Sequence, residues 1–462
     1  MRVCVIGTGY VGLVTGVCLA HIGHEVICID NNEDKIKLLN AGQSPIFEPG
    51  LVEIMKAATA ANLLTFSTDL AAGVRHGEVL FIAVGTPALP TGESDTRYVE
   101  AVARGIGHCL SNNEQGYKVI VNKSTVPIGS GDWVRMLVMD GINDGKKNGE
   151  ATAPKSSSRV EFDVVSNPEF LREGSAVYDT FNPDRIVLGS NSQRALDLMQ
   201  QLYAPIIDRK LEPQYLDLTD PIPVVVTDLN SAEMIKYAAN SFLATKISFI
   251  NEIANICDRV GADVVQVAKG IGLDSRIGGK FLQAGIGWGG SCFPKDLAAL
   301  IHTAEDYGYD AQLLKASVST NQRQRLCVVE KLQQVLKILK GKTIGLLGLT
   351  FKPDTDDMRD APSLDLIEHL HRLGAKVKAY DPIVSQTGLR FGISHVIVET
   401  SLEQLADGCD ALVVVTDWPQ FRNLDYAQIA KLMHNAVMID GRNFLDRETL
   451  QQAGFYYVGI GH

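Results

Sequence analysis

The sequence has no excess of positive charge, no dense cysteine pattern and no long apolar run. Across 462 residues, 43 Lys and Arg stand against 54 Asp and Glu, a formal net charge of −11. Non-specific nucleic-acid binding needs a broad positive surface, so the balance argues against that class. It leaves room for a phosphorylated small ligand, which a few local Lys and Arg can hold. The eight cysteines show no CxxC and no metal-ligand spacing, and no His cluster offers a metal site. Cys4, Cys18 and Cys28 fall inside apolar runs, as reduced buried thiols do. No apolar run reaches the roughly 20 residues of a membrane helix. From Met1 and Arg2 the chain goes straight into the run VCVIG, with no basic segment, apolar segment and cleavage site in succession. The expectation is a cytoplasmic protein.

What is present is 45% hydrophobic and 21% charged residues, the balance of a soluble globular chain. The length suffices for two or three domains. The first half alternates short apolar runs with helical patterns, the signature of a parallel α/β sheet. Val3–Ile6, Glu25–Ile29, Val79–Val84, Lys118–Val121 and Asp163–Val165 read as strands, and Gly12–Ile22 as a helix. Asp140–Arg159 is rich in Gly, Ser, Asn and Lys, lacks periodicity and reads as an exposed loop. Thr227–Val260 carries apolar residues at helical spacing, Met234, Ala238, Phe242, Ile247, Ile250, Ile253, Ala254 and Ile256, with no Pro or Gly. It predicts a helix of about eight turns, the kind that joins domains or supplies a dimer surface. From Lys342, TIGLLGLTFK, a helix over Ser363–Arg372 and AKVKAYDP repeat the order strand, Gly-rich turn, helix, strand, Asp. The reading is α/β: two Rossmann-like domains joined by a long central helix.

Gly7-Thr8-Gly9-Tyr10-Val11-Gly12 matches GxGxxG between a strand and a helix, the context the motif needs. Gly7 permits the turn, Gly9 lets the backbone approach a pyrophosphate, and Gly12 lets helix and strand pack closely. The free N–H groups of the helix then face the phosphates. Asp30 ends the second strand, where a carboxylate accepts both ribose hydroxyls and repels a 2′-phosphate, so NAD is favoured over NADP. The turns Gly85-Thr86-Pro87 and Ser124-Thr125-Val126-Pro127 follow strands and fit the same pocket, although either alone is an ordinary turn.

Gly285–Leu297 reads GIGWGGSCFPKDL, too rich in Gly for a helix interior or a good strand. The helical pattern after it, with Pro294 suited to the first helical position, puts Cys292 at or just before a helix N-terminus. The macrodipole there stabilises a thiolate, Lys295 adds charge, and Asp296 lies four residues on. A loop cysteine alone is usually structural; this combination reads as a nucleophile. Lys236 and Asn240, at i and i+4 on the long helix, form either a solvated patch or a device that polarises an oxygen as it becomes negative. Glu169 and Glu173, in NPEFLREG after the strand DVVS, are either solvated acids or groups that order a water or hold ligand hydroxyls.

GTGYVG, GTP, KSTVP, NPEFLREG, EMIKYAANSF, GWGGSCFPKD and FKPDTDDMRDAPS together resemble the UDP-glucose 6-dehydrogenases, over nearly the whole chain. The wider group includes GDP-mannose and UDP-N-acetylmannosamine dehydrogenases. SCFPKD is similar to the UDP-glucose and GDP-mannose branches, and FKPDTDDMRDAPS is most similar to the UDP-glucose branch. The resemblance implies an NAD-binding domain over 1–212, a central helical dimerisation domain over 213–325 and a UDP-binding domain over 326–462. It implies Cys292 as nucleophile, Lys236 as oxyanion stabiliser assisted by Asn240, and Asp296 and Glu169 as proton handlers through a water that Thr125 helps to place. It implies Lys35, Glu173, Lys295 and Arg359 at the cofactor. Around the substrate it implies Glu169, Phe170, Leu171, Arg172 and Glu173, together with Lys352, Arg442 and the Phe281–Gly289 loop, including Leu282 and Gly285. Arg276 is implied to reach the neighbouring subunit's site.

The implied reaction oxidises the C6 alcohol of UDP-glucose to UDP-glucuronate, a four-electron change with one hydride to each of two NAD. An aldehyde formed first is fixed by Cys292 as a thiohemiacetal, becomes a thioester on the second transfer, and is hydrolysed. No metal is needed. The sequence leaves open which group removes the first proton, with a water held by Asp296 favoured. The rivals are GDP-mannose 6-dehydrogenase, a two-electron alcohol dehydrogenase, and a non-catalytic dinucleotide sensor, which would need neither Cys292, Lys236 nor Asp296.

Overall fold

Runs of three to five residues, mostly β-branched or otherwise apolar, form the strands, and these fall into two sheets. The computed structural model describes residues 1–111, 116–147, 160–215, 217, 220–385 and 394–462. The chain divides into two compact units, one of Met1–Ala238 with Ala298–Thr303, the other of Ala239–Leu297 with Ala304–His462. Among the described residues no helix is long and apolar enough to cross a membrane.

In the first unit the strands are β1 (Arg2–Ile6), β2 (Glu25–Ile29), β3 (Leu64–Ser67), β4 (Val79–Ile82), β5 (Lys118–Asn122), β6 (Phe162–Ser166), β7 (Ile186–Gly189) and β8 (Val224–Thr227). Their order is β3-β2-β1-β4-β5-β6-β7-β8. The first six run parallel in the doubly wound order, with ligand-binding turns expected beyond their carboxyl ends. Strand alternation divides the core: Val3, Val5, Phe81, Val119 and Val121 pack on one face. Cys4, Ile6, Leu80, Ile82 and Ile120 pack on the other. The purely parallel reading of this half needs one correction. β7 meets β6 antiparallel, through Ser166 opposite Gly189, and β8 then runs parallel to β7.

The loop expected over Asp140–Arg159 is also corrected. Ser130–Lys147 is one helix, so Asp140–Lys147 is helical; residues 148–159 lie outside the described residues. The glycines read as loop formers serve a helix crossing. A Cβ on Gly141 would stand 2.2 Å from the Arg104 carbonyl oxygen, and one on Gly107 2.1 Å from that of Val138. Only bare backbone lets the Arg97–Ser111 and Ser130–Lys147 helices approach so closely.

The second unit holds β9 (Thr343–Leu347), β10 (Lys376–Tyr380), β11 (Val396–Val398), β12 (Ala411–Val414), β13 (Val437–Asp440) and β14 (Tyr456–Val458). These are parallel in the order β11-β10-β9-β12-β13-β14. The architectural repeat read from the sequence is present. Asp381, just past β10, accepts the Leu349 N–H at 2.8 Å, and Asp30, just past β2, accepts the Thr8 N–H at 2.9 Å. Each carboxylate pins the turn that follows the first strand of its sheet.

The long helix runs Leu229–Val260, 32 residues. It starts two residues later than Thr227 because Thr227 closes β8 and Asp228 accepts the Ser231 N–H at 2.8 Å, capping the first turn. Ile250 and Ala254 are buried in the core of the second unit. Phe242, Phe249 and Ile256 are exposed, so the apolar positions of this helix serve two faces.

Candidate active site

The GTGYVG turn lies at the carboxyl end of β1. Gly7 has φ +100°, and a Cβ there would stand 2.6 Å from the Ala83 carbonyl oxygen. A Cβ on Gly12 would stand 1.9 Å from the Gly7 carbonyl oxygen, whereas one on Gly9 would meet nothing within 4 Å. Two glycines are therefore demanded by packing, and the third opens the backbone to a ligand. The Tyr10–His21 helix begins here with Gly9 as its N-cap and no side chain on its first N–H groups, which fits a pyrophosphate. Val11 lies in its first turn.

Asp30 accepts Thr8 N–H at 2.9 Å, Thr8 Oγ1 at 2.7 Å, Lys35 Nζ at 2.7 Å and Asn32 N–H at 3.0 Å. Burial alone would raise its pKa, but Lys35 and these donors hold it below the usual carboxylate range. Its charge opposes a 2′-phosphate. The two further turns are joined, since Thr86 Oγ1 donates to the Thr125 carbonyl at 2.7 Å. A Cβ on Gly85 would meet nothing within 4 Å, and Pro87 accepts the Asp95 N–H, closing the next turn.

The NPEFLREG turn follows β6 in the same unit. Glu169 Oε1 lies 2.9 Å from Lys236 Nζ, both almost fully buried, and Glu169 Oε2 accepts the Leu171 N–H at 2.7 Å. Burial pushes the Glu169 carboxyl up, and Lys236 overcomes it, leaving the group below its ordinary value. Phe170 packs beneath Arg185, whose guanidinium lies 3.6 Å from the ring centroid. Arg172 is exposed and forked onto Asp179, at 2.5 and 3.0 Å, a pairing that shapes the turn. Glu173 is half-buried beside it. The buried Glu48 accepts the Gly174 N–H at 2.7 Å and the Tyr10 hydroxyl, so this turn is tied to the dinucleotide motif.

The remaining chemical residues lie in the second unit. Asp296 N–H donates to the Cys292 carbonyl at 2.9 Å, so Cys292 occupies the N-cap position of the Phe293–Asp306 helix. Pro294 is therefore the second helical residue, one later than expected. The Cys292 thiol is half-buried beside the free N–H groups of that end. Asp296 is 1% exposed, accepts Asn240 Nδ2 at 2.5 Å and pairs with Lys295 Nζ at 2.7 Å. The glycine-rich approach is clamped from the Gln312–Leu336 helix. Asn321 Oδ1 accepts the Trp288 N–H, Asn321 Nδ2 donates to the Trp288 carbonyl, and Arg325 Nη2 donates to that same carbonyl at 2.8 Å. A Cβ on Gly289 would stand 2.2 Å from the Asp360 carbonyl oxygen, so this position admits only glycine.

Around the second sheet, Arg442 lies half-buried after β13 and donates to Val415, Gly287 and Phe351 carbonyls. Lys352 lies half-buried past β9, with its ammonium 5.7 Å from the Phe351 ring centroid. Gly285 N–H donates to Asn251 Oδ1, Leu282 is buried, and Phe281 takes a left-handed φ of +66°. Two expected ligand contacts are exposed and paired locally: Arg276 with Asp274, and Arg359 with Asp357.

Sequence reasoning missed several groups. Lys123 donates to Asn167 Oδ1 at 3.1 Å, and burial pushes its ammonium down to about 8, with Glu169 opposing and Lys236 adding. Glu233, one turn before Lys236, is buried and accepts the Gly129 and Gly131 N–H groups and Ser166 Oγ. Burial raises its carboxyl, partly offset by those donors. Both sit inside motifs already quoted, KSTVP and EMIKYAANSF, but nothing in spacing marks a residue as buried.

The UDP-glucose/GDP-mannose dehydrogenase family model matches in three parts: its NAD binding domain over residues 1–207, its central domain over 230–323 and its UDP binding domain over 345–447. A UDP-glucose 6-dehydrogenase of Bacillus subtilis is 48% identical, covering 100% of this chain and 93% of that protein. One of Rhizobium meliloti is 42% identical, covering 100% and 99%. A solved UDP-glucose dehydrogenase of Pyrobaculum islandicum superposes with TM-score 0.87 at 36% identity, covering 100% and 98%. The cradle at Gly7–Gly12 and the strand-end Asp30 fall within the stretch that matches the NAD binding domain, and the chain belongs to the UDP-glucose/GDP-mannose dehydrogenase family as an NAD-dependent oxidoreductase.

Proposed function

We propose that this enzyme oxidises the C6 alcohol of UDP-glucose to UDP-glucuronate through a covalent Cys292 adduct. The observation that carries the reading is Cys292 at a helix N-cap, followed one turn later by the buried Asp296–Asn240 pair. Gly9, Asp30 and the Gly85–Pro87 turn would hold NAD, which when bound accepts one hydride per oxidation.

A water held by Asp296 takes the alcohol proton as the C6 hydride departs. The Cys292 thiolate then bonds to the aldehyde carbon, and the resulting alkoxide is matched by the Lys236 ammonium and the Asn240 amide. Loss of the second hydride leaves a thioester. Water, placed by Thr125 and deprotonated through Glu169 or Asp296, adds to that carbonyl, and the C–S bond breaks to give the carboxylate and the thiol. An oxyanion donor of this kind lowers the barrier by about 3 kcal/mol. Lys352, Arg442 and the 281–289 loop are assigned to the nucleotide sugar, and Glu173, Lys295 and Arg359 to the cofactor.

The three-domain division follows the same reading, with 1–212 for NAD, 213–325 for dimerisation and 326–462 for UDP, in a cytoplasmic enzyme. A homodimer is favoured by the exposed apolar stripe of the long helix, where Phe242, Phe249 and Ile256 recur every seven residues and Val260 follows.

The test is a substrate panel with NADH stoichiometry. Two NADH per UDP-glucose are expected, with no free aldehyde. One NADH with released aldehyde refutes the covalent scheme, and preferred turnover of GDP-mannose assigns the other branch of the family.

A further inference from the structure

Asn122, the last residue of β5, is 2% exposed, and neither Oδ1 nor Nδ2 has a hydrogen-bond partner among the described residues. Its backbone is satisfied, since the Asn167 N–H donates to its carbonyl at 3.0 Å. The side chain alone is anomalous. Ile120, two residues earlier on the same strand face, packs into the apolar core, so an apolar residue would suit this face. A buried amide with two unmet groups destabilises the fold unless something completes it.

Asn122 lines a small cavity together with Ser124, Thr125, Ser166, Glu233 and Lys236. It has room for about one water molecule, and a buried water needs two to four polar partners, which this lining supplies. Glu233 and Lys236 stand at i and i+3 on the long helix. Glu233 already takes the Gly129 and Gly131 N–H groups and Ser166 Oγ, but a carboxylate has about four lone-pair sites, so it can accept another donor. Lys236 donates to Glu169 Oε1 at 2.9 Å, and its ammonium lies 5.4 Å from the Phe170 ring centroid.

We propose that this cavity is a built water site, in which Asn122 holds one ordered water against Glu233 and Lys236, so that Asn122 is a positioning residue for the Lys236 ammonium. The water fills the amide's unmet groups and fixes the back of the ammonium. The Glu169 contact fixes another side of the ammonium. The role given to Lys236 rests on the functional reading above; the water site does not.

Two experiments test this. A crystal structure of the wild-type enzyme, at a resolution that shows ordered solvent, is expected to have a water within hydrogen-bond distance of Asn122 and of Glu233 or Lys236. A dry cavity, or an Asn122 amide bonded directly to another protein group, overturns the site. Asn122→Leu removes the amide and fills the space. It is expected to lower kcat about ten- to hundred-fold, the equivalent of one charge-assisted hydrogen bond, with both KM values within about twofold. Asn122→Ser, which leaves a hydroxyl and space for a second water, is expected to recover most of that loss. Wild-type kcat in the folded Asn122→Leu enzyme, or equal losses in Leu and Ser variants, overturns the positioning role. If the wild-type enzyme does not oxidise UDP-glucose, the functional reading fails while the crystallographic result stands.

Discussion

Lys236 and Glu169 form an ion pair at 2.9 Å that is closed to solvent, with 4% and 6% of their side chains exposed. Such a pair adds little stability as a whole, but removing one partner strands a charge at a cost of about 3–5 kcal/mol. Lys236→Met and Glu169→Gln are therefore expected to lose stability in urea titrations, Lys236→Met the more. The double variant Lys236→Met/Glu169→Leu is expected to lose less than the sum of the single Met and Leu changes. Lys236→Met is also expected to lower kcat about 10²–10³-fold, as loss of an oxyanion donor does. Additive stability losses would show that the two groups do not compensate each other.

Cys292→Ser is expected to abolish turnover while leaving NAD binding intact. The hydroxyl is no thiolate, but the cradle at Gly7–Gly12 lies in the other unit and is untouched. NAD binding by fluorescence titration and NADH release by absorbance separate the two. Normal turnover in this variant would remove Cys292 from the chemistry.

Arg325 donates to the Trp288 carbonyl and forks onto Asp360, with a further bond to Asp365, holding the approach to Cys292. Lysine lacks the planar fork, so Arg325→Lys should behave nearly as badly as Arg325→Met. Both are expected to lower kcat about tenfold, roughly one lost charged hydrogen bond, and to speed labelling of Cys292 by a thiol reagent. Unchanged labelling would mean that the clamp does not restrain the loop.

Lys123 gives a pH signature. Its ordinary pKa of 10.5 falls to about 8 in the fold through burial. Between those values the unfolded chain binds more protons, so this group's contribution to stability rises with pH across that window. Below about 8 the folded state carries the full cost of the buried charge. Lys123→Met, which leaves Asn167 Oδ1 bonded to the Tyr203 hydroxyl, is expected to raise Tm at neutral pH, with a gain that shrinks towards pH 10. A gain independent of pH would assign the effect to packing.

Much of this molecule could be read from order and spacing. Strand, glycine turn, helix and strand-end acid recur at Val3–Asp30 and at Thr343–Asp381, because the backbone of that turn admits few residues. Cys292 was placed at a helix start by the proline and carboxylate that follow it. What escaped depends on partners distant in sequence. Gly141 read as loop because its reason for being glycine is Arg104 on another helix. Glu233 caps a turn about a hundred residues earlier, at Gly129 and Gly131, and Asn122 at a strand end resembles any turn-forming Asn until its burial is known. The antiparallel β7 was hidden because four apolar residues carry no sign of direction.

The matching acids past β2 and β10 have come to differ in what they leave available. Asp381 takes five donors: Leu349, Thr350, Ile383 and Val384 N–H groups and the Trp418 indole. That fills both oxygens. Asp30 has only the Asn32 N–H on Oδ1 among the described residues, so one oxygen stays open to a hydroxyl. The repeated architecture thus leaves an acid with an open oxygen in one sheet and a rivet in the other. Whatever the second sheet recognises must be read by other residues, and freeing Asp381 for a ligand would require dismantling these contacts, the Trp418 indole among them.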